Sequence, residues 1–334
     1  MYDYDSLLLR FEAGRSQRAA AADVRSAHRI RIDELVDYRL SEPNVLLLDK
    51  AETALDGGAY RPVQELLRAD NALRRELGWP TRGNDVAQPW TVTEETTAHT
   101  VRLRFTVHSA MAVDGAKLAL EDAPLAKITL NGEVVNAAPD GWYVDKSIGT
   151  IALPALRAGE NTIEVELPFG KRTNVEWCYL LGDFGVKIDG ERRTLIARTP
   201  RLGFDDVTRQ GLVHYGGNID YVIPFASEGG EVRVTAPHYT GAAIRVALDG
   251  ESKGYIVYSP YTLSLGTPDA GAHTLTLTVL GNRENAFGPL HKADDKDLWI
   301  GPNAWHTTGA GWTESYRIKP LGLRTEPRIE EIEK

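Results

Sequence analysis

A pattern that occurs twice restricts this chain's fold more than any other feature: a strand running into Asn-Gly or Asp-Gly, a polar stretch, then a glycine that opens a second alternating strand. In the first copy Ile128 and Leu130 alternate with Lys127 and Thr129 as far as Asn131-Gly132, and Gly159 opens Asn161, Ile163, Val165 and Leu167. In the second, Val246 and Leu248 alternate with Arg245 and Ala247 as far as Asp249-Gly250, and Gly271 opens His273, Leu275, Leu277 and Val279. Alternation with period two buries one face of a strand, and Asn-Gly or Asp-Gly supplies the positive φ of a tight hairpin. The stretch from Gly132 to Gly159 is longer than that from Gly250 to Gly271, a difference that a loop absorbs. Two β-sandwich units in tandem are the simplest architecture that uses the pattern twice.

The chain has 334 residues, enough to give each of two units its own core. Its net charge of −9 argues against nucleic acid as a partner, because phosphate binding needs a surplus of Lys and Arg along one face. No apolar run is long enough to span a bilayer, so no membrane partner is expected. The start, Met1-Tyr-Asp-Tyr-Asp5, is acidic where a secretory leader is basic, which points to a cytoplasmic chain or to a piece of something longer. The single cysteine, Cys178, excludes an intrachain disulfide and any multi-cysteine metal site. Its neighbours Trp177, Tyr179, Leu180 and Leu181 mark it as a buried thiol rather than a reactive one.

Residues 1–40 read as a lead-in with one strand, residues 41–205 as the first sandwich and residues 206–334 as the second. The apolar run Asn44-Val-Leu-Leu-Leu-Asp49 is expected to be a fully buried strand, followed by a turn at Asp56-Gly57-Gly58. Pro62 suits the first turn of a helix near 62–77, with Val63, Leu66, Leu67, Leu73 and Leu77 as its apolar stripe, a break near Asp70, and Gly78 and Pro80 as its stop. From His99 onward the pattern is nearly all β, with a boundary in the polar, turn-rich stretch from Pro200 to Gly211 and a closing strand near Tyr316-Arg-Ile318. The fold class is therefore mostly β: two tandem jelly-roll-like sandwiches with a short N-terminal helical segment.

The blocks Gly141-Trp-Tyr-Val-Asp145, Cys178-Tyr-Leu-Leu-Gly-Asp-Phe-Gly185, Tyr215-Gly-Gly-Asn218 and Gly281-Asn-Arg-Glu-Asn-Ala-Phe-Gly-Pro-Leu-His291 resemble the C-terminal region of large bacterial glycoside hydrolases. There, a catalytic barrel is followed by galactose-binding, jelly-roll-like sandwiches. The pairing of Asn131-Gly132 with the run from Gly159 to Val165 is similar to the sugar-binding sandwiches of the β-galactosidase and β-glucuronidase group. The resemblance spans roughly residues 40 to 330 and implies an ancillary, non-catalytic carbohydrate-binding or scaffolding role. A barrel would need about 250 residues of alternating strand and helix, which this chain lacks. The implied partners are a carbohydrate and a catalytic domain or chain that carries the barrel.

A sugar ring stacks its apolar face on Trp or Tyr and meets Asn, Asp, Glu or Arg with its hydroxyls. Aromatic residues next to such groups single out Trp142, Tyr143, Tyr215, Asn218, Tyr261, Arg283, Asn285 and Trp305 as carbohydrate contacts, each of which could equally pack between sandwiches. The run from Asn282 to His291 is costly to bury unless a partner, a neighbouring domain above all, satisfies its polar groups. Glu176 and Asp183 are the best carboxylate pair for an alternative, self-contained polysaccharide-active glycoside hydrolase. A purely structural interaction module is the second alternative. Asp183-Phe184-Gly185 lacks every accompanying kinase element, and no His-Glu-x-x-His motif or Gly-x-Ser-x-Gly elbow is present. His214, His291 and His306 read as hydrogen-bonded structural residues. No cofactor is expected, and although sandwiches of this type can hold a structural calcium, no oxygen-ligand loop here is specific for one.

Overall fold

The computed structural model describes residues 26–81, 97–173, 175–294 and 306–332. The protein is predominantly β, built as two sandwiches, each with its own hydrophobic core. Among the described residues no helix is long and apolar enough to cross a membrane.

In the first unit, strands Gly141–Tyr143, Asp145–Ala152, Lys117–Glu121, Cys178–Gly182 and Asn44–Leu48 follow one another across a five-stranded sheet. The facing sheet is ordered Gly185–Asp189, Arg192–Ile196, His99–Ser109, Gly159–Phe169, Lys127–Leu130 and Glu133–Val134, with Lys50–Leu55 and Arg61–Glu65 added along His99–Ser109. The long strands alternate as the sequence indicates: Leu103, Phe105, Ile163 and Val165 point inward and are fully buried, each contributing about 1.5–3 kcal/mol of transfer free energy. Asn44–Leu48 and Cys178–Gly182 are buried at every position, so this sheet is covered on both faces.

The second unit pairs a six-stranded sheet, ordered Leu202–Gly203, Leu35–Leu40, Ile219–Ser227, Gly271–Val279, Ile244–Leu248 and Glu251–Ile256, with a four-stranded one, ordered Ala27–Ile30, Arg328–Ile332, Glu231–Thr235 and Thr262–Gly266. Two of these strands come from the expected lead-in. Ala27–Ile30 pairs with Arg328–Ile332, and Leu35–Leu40 with Ile219–Ser227. The described chain thus starts in the second unit at Ala27–Ile30, crosses to the first between Leu40 and Asn44, and returns between Ile196 and Leu202.

Both turns of the repeat have the backbone their residues require. Asn131 and Asp249 sit at φ +55° and +50°, and the following glycines both at +85°. The turn side chain also accepts a backbone N–H from the next long strand: Thr162 N to Asn131 Oδ1 at 2.9 Å, and Thr274 N to Asp249 Oδ1 at 2.8 Å. A third turn has the same construction. Asp56-Gly57, at φ +49° and +72°, receives Thr100 N on Asp56 Oδ1 at 2.9 Å.

The helix is Leu66–Glu76, shorter than the sequence suggests. Pro62 and Val63 lie instead in the strand Arg61–Glu65, which pairs with Lys50–Leu55. Glu65 starts the helix by accepting Arg68 N on its side chain at 2.8 Å. The helix runs unbroken through Asp70, whose buried carboxylate holds Arg74 one turn on at 2.7 Å. Residues 316–318 are irregular, and the closing strand is Arg328–Ile332. The hydroxyl of Tyr316 is committed to Asp49, which draws that segment across the first unit instead of into a sheet.

Candidate functional site

Where the outer face of the five-stranded sheet meets the helix and the connection after Gly281, the structure leaves a cavity of about 170 Å³ lined by Leu67, Glu121, Ile148, Glu176, Trp177, Tyr179 and Phe287. Sheet register assembles it. Glu121 pairs with Ile148, Tyr179 pairs with Ala119 two residues from Glu121, and Glu176 and Trp177 lead into the strand that carries Tyr179. Phe287 arrives from the second unit, at the end of the short helix Glu284–Phe287. Its ring stacks on Tyr179 at 4.9 Å between centroids and on Tyr143 at 5.9 Å, and the two tyrosine rings meet at 5.3 Å. The space is below the roughly 300–1,000 Å³ of sites for drug-sized ligands, so it suits one ring-sized group.

Trp177 lines both this cavity and a neighbouring pocket of about 10 Å³, the size of a single water, bordered by Glu65, His291, His306 and Trp312. The indole N–H donates to Glu65 Oε1 at 2.8 Å, which fixes the ring. Burial raises the Glu65 carboxyl above the ordinary glutamate range, against the hydrogen bonds from Trp177 and the helix backbone.

Behind Trp177 lies a buried ionic centre. Asp49 Oδ1 accepts from Arg193 Nη1 at 2.6 Å and from the Tyr316 hydroxyl at 2.9 Å, and its Oδ2 lies 2.7 Å from His291 Nε2. The other ring nitrogen of His291 faces the Thr313 carbonyl at 2.9 Å, so both nitrogens meet acceptors. Burial alone would raise the Asp49 carboxyl. Arg193, then His291 and Tyr316, more than reverse that and hold it well below the usual carboxylate range. Burial pushes His214 down to about 4, with only its Nδ1 partnered, by the Asn285 carbonyl at 3.0 Å.

The candidate residues read from the sequence divide among several places. Tyr215, Asn218 and Arg283 gather where the chain first crosses between the units. The Tyr215 hydroxyl donates to the Asn218 carbonyl at 2.8 Å and receives Ser41 N at 3.0 Å, while Asn218 N donates to Ser41 Oγ at 2.8 Å. Arg283 grips the Glu42 carboxylate with both terminal nitrogens, Nη2 to Oε2 at 2.8 Å. A side chain at Gly217 would strike Glu42 and the Tyr215 hydroxyl, so the Gly-Gly of that block permits the close approach. Asn285 brackets Lys319, donating to its carbonyl at 2.7 Å and accepting its N–H at 2.8 Å.

Tyr143 is buried in the stack with Phe287, and its hydroxyl faces Arg283 without closing a hydrogen bond of ordinary geometry. Trp142 is largely exposed. Tyr261 packs on Tyr239 against the second core, away from this cluster. Trp305 lies outside the described residues.

Glu176 borders the cavity, whereas Asp183 lies beyond the far end of Cys178–Gly182, paired with Arg198 at 3.0 Å. The five-residue strand Cys178–Gly182 lies between them and at about 3.3 Å per residue spans on the order of 15 Å; it pairs with Asn44–Leu48 along its whole length, and the chain bends only at Asp183 itself. Glu121 is the carboxylate that sequence reasoning missed. It ends an ordinary strand, and only the register opposite Ile148 brings it to the cavity. Cys178 is fully buried, and burial, with Glu176 and Glu121 nearby, pushes its thiol up to about 12. Among the described residues no group of three or more His, Cys, Asp or Glu side chains is placed to hold a metal ion.

No protein-family model and no curated protein matches this sequence. Among solved structures the chain is similar to a rhamnosidase from Novosphingobium sp., at 14% identity and a TM-score of 0.28 over 84% of this chain and 25% of that one. It is also similar to a β-D-mannosidase from Dictyoglomus thermophilum, at 14% identity and 0.29 over 74% of this chain and 32% of that one. A third is an exo-chitosanase from Amycolatopsis orientalis, at 10% identity and 0.29 over 75% of this chain and 30% of that one. The chain thus spans a quarter to a third of the length of these proteins, and likeness at this level bears on neither activity nor ligand.

Proposed function

We propose that this chain is a carbohydrate-binding unit of the kind that accompanies glycoside hydrolases, and that it holds one sugar ring in the cavity between Trp177, Tyr179 and Phe287 without cleaving a bond. The cavity itself carries the reading: about 170 Å³ walled by three aromatic rings, with the carboxylates of Glu121 and Glu176 at its border. Aromatic faces supply the apolar contact that a pyranose ring offers, and carboxylates accept its hydroxyl protons, each such charge-assisted bond contributing about 1.5–3 kcal/mol. The likeness of the Gly281–His291 block to glycoside-hydrolase sandwiches supports the same reading, because that block delivers Phe287 to the cavity wall.

The test is calorimetric titration of the full chain with a panel of mono- and disaccharides, alongside an assay for released reducing ends. Binding without turnover is expected. Phe287→Leu, which keeps an apolar contact and removes the aromatic face, weakens it by about 2- to 10-fold, the worth of one stacking contact at ~0.5–1.5 kcal/mol. Turnover that disappears in Glu176→Gln would establish the enzymatic alternative, and a panel with no binder would leave a structural module.

A further inference from the structure

The six-stranded sheet of the second unit carries a row of side chains on the face that points away from its core. Strand register draws the row: Arg39 pairs with Asp220, Asp220 with Thr278, Thr278 with Arg245, and Arg245 with Tyr255. The residues that alternate with them, Tyr38, Tyr221, Leu277, Val246 and Ile256, are buried in the second core, so the row lies on the outer side. From it we infer a second binding surface, one that takes a chain of acidic sugars, a uronic-acid oligosaccharide, lying across the strands. This surface is distinct from the cavity beside Trp177 and shares with the earlier reading only the class of ligand.

Charge favours an acidic ligand. Every carboxylate carried by the six strands is already engaged: Asp37 with Arg201 at 3.4 Å, Asp220 with the Thr278 hydroxyl at 2.7 Å, and Glu251 with Lys253 at 2.8 Å. His273 is likewise held by Asp249. The guanidiniums of Arg39 and Arg245 are exposed and form no ion pair among the described residues, and Arg245 makes only a long contact, 3.4 Å, to the Thr278 hydroxyl. Two unmatched cations on an open face suit carboxylates, which a guanidinium holds through two parallel hydrogen bonds. Asp220 lies between them, so the ligand's acidic groups belong beside Arg39 and Arg245 and not at the middle of the row.

Shape favours a saccharide. Tyr255 is 56% exposed next to Arg245 and offers the ring face on which the apolar side of a pyranose stacks. Alongside the row, Val222, Thr276, Ala247 and Ser252 pair across the same strands, and their short side chains form a low shelf. Arg39 and Arg245 stand three strands apart, about 14 Å between backbones at about 4.8 Å per strand. A chain with an acidic group on more than one ring matches that spacing better than a single sugar does.

Calorimetric titration of the full chain with a β-linked oligomannuronate of about six residues, and with the neutral manno-oligosaccharide of the same linkage and length, tests the surface. The acidic oligomer is expected to bind at least 10-fold tighter, with a preference that shrinks as salt is raised. Arg39→Gln and Arg245→Gln should each weaken it at least 3-fold, and Tyr255→Ala should weaken both oligomers; all three side chains are exposed, and thermal unfolding checks that the fold is retained. Phe287→Leu should leave this binding unchanged. No binding of oligomannuronate, equal binding of the neutral oligomer, or indifference to both arginine changes overturns the proposal, as does tighter binding of an oligoglutamate or a short oligonucleotide of equal charge. None of those results touches the cavity, whose own test is the binding of mono- and disaccharides and its loss in Phe287→Leu.

Discussion

Replacing Asp49 by asparagine is the sharpest probe of the centre that joins the two units. The carboxylate is fully buried and accepts from Arg193 and Tyr316 on one oxygen and faces His291 on the other. An asparagine amide must point its NH2 at one of these two sets. Turned toward Arg193 and Tyr316 it opposes two donors. Turned toward His291 it needs a bare Nε2, with the ring hydrogen on Nδ1 facing the Thr313 carbonyl, and Arg193 is then buried without a counter-charge. Breaking a buried ion pair from one side costs about 3–5 kcal/mol. At roughly 2–4 °C per kcal/mol for a domain of 150–250 residues, the unfolding midpoint of Asp49→Asn should fall by about 6–20 °C by scanning calorimetry.

The sign of the pH dependence is fixed too. A carboxyl whose folded pKa is depressed contributes stability that is fully present above its unfolded value, ~3.9, and lost as pH falls toward the folded value. The gap between wild type and variant should hold above pH 5 and close below pH 4. Arg193→Met in the Asp49→Asn background should cost less than the two single changes together, because the second change removes the stranded cation. A variant within about 1 kcal/mol of wild type, or strictly additive single changes, would show that these groups are not coupled as the distances imply.

Three further outcomes can be checked independently. Asn131→Ala and Asp249→Ala should each destabilise by about 1–2 kcal/mol in chemical denaturation, since each puts alanine at positive φ and removes an acceptor for a strand N–H. Cys178 should resist alkylation at pH 8 in the native protein and react freely in urea, because burial keeps it a thiol with its pKa pushed up to about 12. Folded His214 holds its proton only below about 4, whereas the unfolded residue takes one near 6.5, so stability should decline as pH falls through that window. His214→Phe should flatten that part of the profile, as read by urea midpoints at successive pH values.

What the sequence revealed was what alternation and turn chemistry can encode locally. Both copies of the hairpin pattern fold as their residues demand, down to the equal φ of Gly132 and Gly250. The third copy was half visible. Asp56-Gly57 reads as a turn, but its partner strand begins at His99, beyond a strand and a helix, so spacing gave no cue. The helix start was misplaced because Pro62 suits both a first helical turn and an outlying strand, and pairing with Lys50–Leu55 decided for the strand. The pairing of Ala27–Ile30 with Arg328–Ile332 joins the two ends of the described chain, and no local signal marks so distant a partner.

The candidate residues show how one chemical signature can serve two ends. Polar groups and aromatics crowded into loops must find partners, and a ligand and a crossing chain satisfy them equally well. Tyr215, Asn218 and Arg283 met that need with Ser41 and Glu42, the residues that carry the chain from one unit to the other. Asn285 met it with the backbone of Lys319. Once those groups are engaged inside the protein, the aromatic residue they escort, Phe287, is left stacked on Tyr179, the two rings together forming part of the cavity wall. The crossing and the cavity are therefore coupled. Arg283→Ala, which frees the segment carrying Phe287, should loosen ligand binding without touching the cavity lining, whereas Asp183→Ala, just beyond the far end of the strand that carries Tyr179, should leave it unchanged.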